Sequence, residues 1–334
     1  MKILYIVPGL DEGGAEVHVL NLIRELSERG HDITLASCGG RLEAELPENV
    51  RVIHVPSERK NPVTIIHSAR VLSRLGRWEI IHAHSRVPAW VAWVLSGLTR
   101  TPWLMTAHAL YSLNAGLIPL RRADGLICVS EAVKNHLASY LPAKCTVIPN
   151  GIIPPVFRHK DSIANRLLFV GRLTRLKGLD VVLRALAGLA GREWTLDVVG
   201  DGPQRVELEE LSEGLGLGER VTFRGARSRG EVEEFMAFAS CLLFPSHSEG
   251  MGLVVLEAAS MGLPVIASDL EALREIASGG LIPAGDVEAW RGAIIGFLDS
   301  GTASTLNPAK IITVHEMACR IEKFYSVILE QQRH

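Results

Sequence analysis

Three glycine-containing segments of the chain carry residue types suited to holding a phosphate. Gly171-Arg172-Leu173-Thr174-Arg175-Leu176-Lys177-Gly178 follows the apolar run Leu167–Val170. Two cations five residues apart, where a strand ends and a helix begins, suit a diphosphate. Arg172 can grip it as a fork, while Lys177 acts as a mobile point charge. The Walker order GxxxxGK[ST] is absent, and a solvated basic turn is the plain alternative for this segment alone.

The segment Ser248-Glu249-Gly250-Met251-Gly252-Leu253-Val254-Val255-Leu256-Glu257 is the sharper signal. It follows the apolar run Cys241–Phe244 and opens a helix, so Gly250 and Gly252 expose backbone amides at an anion-binding helix start. Glu249 lies in the loop. Glu257 lies one to two turns into an otherwise apolar helix, where a carboxylate is costly to bury unless it accepts hydrogen bonds, for example from ribose hydroxyls. A solvent-facing helix position for Glu257 and a dipole partner for Glu249 are the structural alternatives. Gly13-Gly14, between a strand ending at Val7 and a helix beginning near Glu16, lets amides approach a phosphate or sugar, although a tight turn needs the same residues. It is not GxGxxG, which weakens a dinucleotide reading.

Short apolar runs must position these segments. Lys2–Val7, Ile33–Ala36, Val50–Val55, Glu79–His84, Pro102–Ala107, Leu126–Val129 and Cys145–Ile148 read as strands, with helices at Glu16–Arg29, Val63–Leu75, Ala89–Ser96 and Glu131–Ser139. The pattern pauses at Gly151–Ala164, where Pro154, Pro155, His159 and Lys160 suit a linker. It restarts with strands at Arg166–Val170, Thr195–Val199, Val221–Phe223, Cys241–Phe244 and Pro264–Ala267. Helices at Leu179–Leu189, Gln204–Leu215, Glu231–Phe238, Leu253–Met261 and Val287–Leu298 alternate with them. This alternation predicts two successive doubly wound α/β, Rossmann-like domains: residues 1–153, a linker at 154–165, and residues 166–311. Ile312–Gln331 reads as a further helix.

A length of 334 residues suits two domains, and 47% hydrophobic content is ample for two cores. With 35 Lys and Arg against 37 Asp and Glu, the near-neutral balance argues against a nucleic-acid binder. Residues 1–155 carry 16 basic against 13 acidic residues and eight of the 12 histidines, a bias toward an anionic acceptor or lipid surface. Five scattered cysteines without CxxC spacing predict buried thiols in a reducing compartment. No His/Cys/Asp cluster has metal-ligand spacing and no DxD motif follows a strand, so no metal is expected. The uncharged stretch Pro102–Leu120 is broken by Thr106, His108, Ser112, Asn114, Gly116 and Pro119 and reads as no membrane span. Arg70, Arg74 and Arg77 near Trp78, with Arg121-Arg122, suggest a basic face for anionic lipid. Trp90, Trp93 and Trp103 belong more naturally to the core.

Taken in order, the chain resembles the family 4 glycosyltransferases of GT-B architecture. The resemblance spans nearly the whole chain: GGAE at Gly13–Glu16, VSEAVK at Val129–Lys134, IPNGI at Ile148–Ile152, FVGRLTRLKG at Phe169–Gly178, VVGDGP at Val198–Pro203, FRGA at Phe223–Ala226, and E-x7-E from Glu249 to Glu257. It implies two Rossmann-like domains facing across a cleft, with helix 312–331 packing back on the first domain as part of a hinge. It also implies a retaining, metal-independent transfer of a sugar from a nucleotide diphosphate sugar, with a uridine or guanosine base, to a saccharide or lipid-linked saccharide. The expected setting is cytoplasmic, peripheral on the inner membrane face, in bacterial envelope polysaccharide or glycolipid synthesis. Arg172 and Lys177 would neutralise the leaving diphosphate, Glu257 would hold the ribose, and Glu249 would contact sugar hydroxyls. Gly250, Met251, Gly252 and Leu253 would lend amides, and Gly14 would close on the diphosphate. The loops Val199–Gly202 and Arg224–Ala226, with Gly200 and Arg224, would receive the base. His108 matches the histidine that contacts the transferred sugar or acceptor, although a lone histidine after a strand is more often structural. The next residue, Ala109, stands where many relatives have an acidic residue or glycine. A nucleotide-sugar epimerase, a non-catalytic nucleotide-sugar binder and an NAD-dependent oxidoreductase are the competing classes. E-x7-E with GRLTRLKG speaks against the first, intact Glu249, Glu257, Arg172, Lys177 and His108 against the second, and the missing third glycine of Gly200-Asp201-Gly202 against the third.

Overall fold

Strands rich in Val, Ile and Leu bury both faces, which a parallel sheet covered by crossover helices provides. The computed structural model describes residues 1–330 apart from Glu12, Phe157, Arg158, Lys160, Asp161, Ser162 and Ala190. It divides into two units, Met1–Gly151 with Ile312–His334, and Ile152–Ile311.

The first unit contains β1 (Lys2–Ile6), β2 (Asp32–Ser37), β3 (Arg51–His54), β4 (Ile80–His84), β5 (Trp103–Ala107), β6 (Gly125–Cys128) and β7 (Cys145–Val147). They pair in parallel in the order β3-β2-β1-β4-β5-β6-β7. Helices α1 (Gly14–Glu28), α2 (Pro62–Leu75), α3 (Arg86–Thr99) and α4 (Glu131–His136) lie between them in the chain. The strand order reverses beside β1 and β4, the switch point at which such sheets place ligands beyond the carboxyl ends of their strands.

In the second unit, β8 (Arg166–Val170), β9 (Thr195–Val199), β10 (Val221–Gly225), β11 (Cys241–Phe244) and β12 (Val265–Ala267) form a parallel sheet in the order β10-β9-β8-β11-β12. Its helices are α5 (Leu179–Ala187), α6 (Arg205–Gly214), α7 (Arg229–Phe238), α8 (Leu253–Met261), α9 (Glu271–Arg274) and α10 (Val287–Ser300). Leu167, Phe169, Leu183, Leu196, Leu243 and Trp290 sit in its core. A small antiparallel pair, β13 (Ala277–Gly279) with β14 (Thr305–Leu306), is too short to leave a hydrophobic period.

The last helix, α11 (Val314–Glu330), belongs to the first unit. Its fully buried Tyr325 hydroxyl hydrogen-bonds with the Tyr5 hydroxyl at 2.8 Å and with His82 Nδ1 at 2.6 Å. Glu322 accepts from Arg29 at 3.0 Å and pairs with His31 at 2.9 Å.

Two expectations, on the cysteines and on the basic face of α2, change here. Cys128 and Cys241 are buried, but Cys38 and Cys319 are exposed, one in the turn after β2 and the other on α11, where its Sγ accepts from Arg29 at 3.2 Å. Helix α2 ends at Leu75, because Gly76 turns extended, so Arg77 is not on its basic face with Arg70 and Arg74; Trp78 and Trp103 are buried. Part of the uncharged stretch is a 3-10 segment, Ala115–Arg122, and no described helix is long and apolar enough to cross a membrane. In the expected linker, Phe157, Arg158, Lys160, Asp161 and Ser162 lie outside the described residues. The amides of His159 and Ile163 donate to the carbonyls of Met261 and Phe238 at 3.1 and 2.9 Å.

Candidate active site

The two phosphate-type loops of the second unit lie together. Gly178, at φ +65° between a 3-10 turn (Arg175–Lys177) and α5, admits no side chain, because a Cβ would strike the carbonyl of Pro245. The amide of His247 donates to the carbonyl of Leu176 at 2.8 Å, joining the Arg172–Gly178 loop to the loop that carries Glu249. The Lys177 ammonium donates to Glu249 Oε1 at 2.5 Å and stands over the Phe244 ring. Arg172 is exposed, and its side chain makes no hydrogen bond or ion pair with any described residue. Gly200, at φ +131°, lies so close to Gly171 that a Cβ would strike the Gly171 carbonyl. The lack of a side chain there brings the Val199–Gly202 loop against the root of the Arg172 loop. Arg224 is differently placed: its guanidinium donates to the buried Asp197 at 2.6 Å, beside Phe235, and Asp197 also accepts from Arg166 at 2.6 Å.

Gly250 and Met251 are buried, and Gly252 caps α8 in the left-handed conformation (φ +77°), so the helix begins at Leu253, where first-turn amides have no acceptor one helical turn back. Glu257, one turn on, borders a cavity of about 20 Å³ shared with Arg229, Glu233, Met236 and Met261. Burial pushes its carboxyl up to about 7; Arg229 opposes the shift and Glu233 adds to it. Arg229 donates to Glu233 at 3.0 Å, and the Glu257 carboxylate accepts no hydrogen bond from any described residue. A partly protonated, unsatisfied carboxyl of this kind is ready to accept hydroxyl groups.

The first unit gathers a group that the spacing did not reveal. His108, just past β5, shares a hydrogen bond of 2.9 Å between its Nε2 and Nδ1 of His84, at the end of β4. His18, on α1, lies edge-on to His108 with ring centres 4.7 Å apart. The expectation that no His/Cys/Asp cluster has ligand geometry is therefore corrected: His18, His84 and His108 present ring nitrogens within 4.8 Å of one another. They converge because β4 and β5 end, and α1 begins, at one sheet edge, which sequence separation hides. Burial lowers the affinity of all three for protons, that of His18 to about 4 despite the opposing influence of Asn150; neighbouring imidazoles lower His84 and His108 further. All three are thus neutral at physiological pH. The eight histidines of the first half, and the HAH pattern ending β4, were the signals available in the sequence. At Gly13, extended at φ −167°, a Cβ would strike the Glu16 carboxylate, so a side chain of the chain itself already lies by the turn that opens at Gly14.

Comparison with known proteins agrees in both units. The model "Glycosyltransferase Family 4" matches residues 12–154, and "Glycosyl transferases group 1" matches residues 164–300. The chain belongs to the family 4 glycosyltransferases. The transferase is 29% identical over 352 aligned positions to the D-inositol 3-phosphate glycosyltransferase of Mycobacterium marinum, across 88% of this chain and 75% of the relative. It is 27% identical to an uncharacterized glycosyltransferase of Methanocaldococcus jannaschii, across 79% and 78%. Among solved structures, the transferase matches Anabaena HepE in complex with UDP and glucose with a TM-score of 0.84, at 20% identity over 98% of this chain and 99% of the other. It matches the apo lipopolysaccharide outer core galactosyltransferase WaaB with a TM-score of 0.68, at 19% identity over 98% and 97%. The transferase therefore has the GT-B fold, two parallel-sheet α/β units of seven and five strands.

Proposed function

We propose that the protein is a retaining transferase that moves a sugar from a nucleotide diphosphate sugar to a saccharide or lipid-linked saccharide, in envelope polysaccharide or glycolipid synthesis. The observation that carries this reading is the unpaired Arg172 beside the Lys177–Glu249 pair, with the amino end of α8 on the same loop system. Breaking the anomeric bond builds negative charge on the diphosphate, and cations and amides already in place stabilise that charge. Glu249 orients Lys177 before the donor arrives and then shares its hydrogen bonds with sugar hydroxyls. Gly250, Met251, Gly252 and Leu253 supply backbone amides, Gly14 closes on the diphosphate, and Glu257 receives the ribose.

Gly200 serves the base side by keeping its loop against Gly171; Arg224, held by Asp197, acts there through its loop rather than its charge. His108 contacts the transferred sugar or the acceptor. Retention then follows from front-face attack through an oxocarbenium-like state, with the leaving phosphate oxygen assisting deprotonation of the acceptor. Protein cations replace a divalent ion in this scheme. A uridine donor is favoured over guanosine because the HepE structures are complexes with UDP, glucose or UDP-glucose. The protein acts at the cytoplasmic membrane face, where exposed Val63, Ile66, Arg70 and Arg74 on α2 provide a mixed apolar and basic surface for anionic lipid.

The test is a thermal-shift panel of UDP-sugars, GDP-sugars and NAD, with and without EDTA. A ligand at a hundredfold excess over its Kd stabilises by about 2.7 kcal/mol. Stabilisation by one nucleotide sugar, unchanged by EDTA and lost in Glu257→Ala, is the expected result. A shift with NAD alone sinks the proposal.

A further inference from the structure

We infer that His18, His84 and His108 form a three-imidazole site for a divalent transition-metal ion of the zinc class, seated at the carboxyl edge of the first sheet. Three observations converge. Zinc–imidazole bonds of about 2.0–2.1 Å in tetrahedral array place ring centres roughly 5 Å apart; here they lie 4.7, 5.2 and 5.7 Å apart. Both ring nitrogens of His18 are buried and make no hydrogen bond with any described residue, and the facing Nδ1 of His84 and Nε2 of His108 bond to each other. Buried polar atoms are normally satisfied, so an imidazole with neither nitrogen bonded, beside that pair, calls for a ligand. Finally, the donor set suits zinc, copper or nickel: neutral imidazoles with no carboxylate or thiolate in the triad.

Binding through His84 Nδ1 and His108 Nε2 displaces the proton they share onto the other nitrogen of the same ring, so both imidazoles stay neutral and no proton is lost. Half-buried His108 opens the cluster outward, so a water molecule completes four-coordination. The ion holds the imidazole that the functional proposal assigns to the sugar and acceptor side, and therefore inhibits transfer. This consequence rests on that assignment; the existence of the site does not.

The untagged full chain is titrated with Co²⁺ near neutral pH and followed by its visible spectrum. One equivalent should give the bands of a tetrahedral nitrogen and oxygen site, displaced by Zn²⁺. His18→Gln and His84→Gln should each weaken binding by more than the roughly 10–100-fold typical of losing an outer partner. No tetrahedral spectrum, a thiolate charge-transfer band, or affinity unchanged in both variants overturns the proposal. If the variants unfold, zinc-edge X-ray absorption of the native protein decides: three imidazoles support it and fewer overturn it. A three-imidazole site whose occupation leaves transfer unaffected keeps the metal site and removes His108 from the reacting groups.

Discussion

Arg172 and Glu257 separate two kinds of functional side chain. The Arg172 side chain makes no hydrogen bond or ion pair with any described residue, so its removal should leave stability unchanged while taking a full charge from the proposed diphosphate seat. Arg172→Ala should lower kcat by about 10²–10³-fold, the loss typical of a deleted transition-state charge partner, with an unaltered melting curve. Steady-state kinetics beside calorimetry check this, and a large fall in Tm would instead make Arg172 structural. Glu257 is the reverse, a carboxyl whose burial opposes its ionisation. With its folded value near 7 above the ordinary 4.5, the folded protein holds a proton that the unfolded chain has released. Its stabilising contribution is complete below about pH 4.5 and is lost as pH rises through about 7. Glu257→Gln should therefore be more stable than the native chain at pH 8, by up to about 3 kcal/mol, yet bind donor more weakly. Denaturant melts at pH 5 and pH 8 measure the difference; equal gains at both would contradict it.

At the scale of elements, α11 shows how a local pattern acquires a long-range partner. Its apolar stripe names a helix, but the polar atoms on that stripe say where it docks. The Tyr325 hydroxyl lies between Tyr5 on β1 and His82 on β4, and His82 in turn bonds with Thr106 on β5 at 2.7 Å. Removing one hydroxyl from a closed buried chain leaves partners unsatisfied, at a typical cost of about 1–3 kcal/mol. Tyr325→Phe should lower stability by that amount while sparing donor binding, because the proposed donor residues lie in the second unit apart from Gly14 and His108. Chemical denaturation and a donor titration test the two halves of this prediction. The same scale explains why alternation was legible. Most strands are short apolar runs and most helices longer amphipathic or apolar ones, so the order of elements followed from residue types. The pair β13–β14 and the four-residue α9 were not legible, because elements so short carry no period.

For the whole molecule, the two units should answer acid in opposite directions. His18, His82, His84 and His108 are held neutral in the first unit, with proton affinities below the ordinary 6.5. There the unfolded chain binds more protons below the ordinary 6.5, so stability rises with pH up to that value and is lost on acidification. Glu257 gives the second unit the opposite slope between about 4.5 and 7. Hydrogen exchange at pH 5.5 and 7.5, corrected for its intrinsic rate, should show protection falling in β1, β4 and β5 on acidification while α8 gains. Parallel changes in both units would refute it.

Residue types and their order were sufficient for two α/β units, for the family, and for the loops carrying Arg172, Lys177, Glu249 and Glu257. These rest on short-range chemistry: apolar runs, glycines at helix starts, charges within a few residues. Tertiary structure alone decided that Lys177 meets Glu249 across 72 residues, that Arg224 is bound to Asp197, and that His18, His84 and His108 converge. A parallel sheet returns every strand to the same edge, so side chains far apart in the chain become neighbours there, and spacing along the chain holds no trace of that meeting.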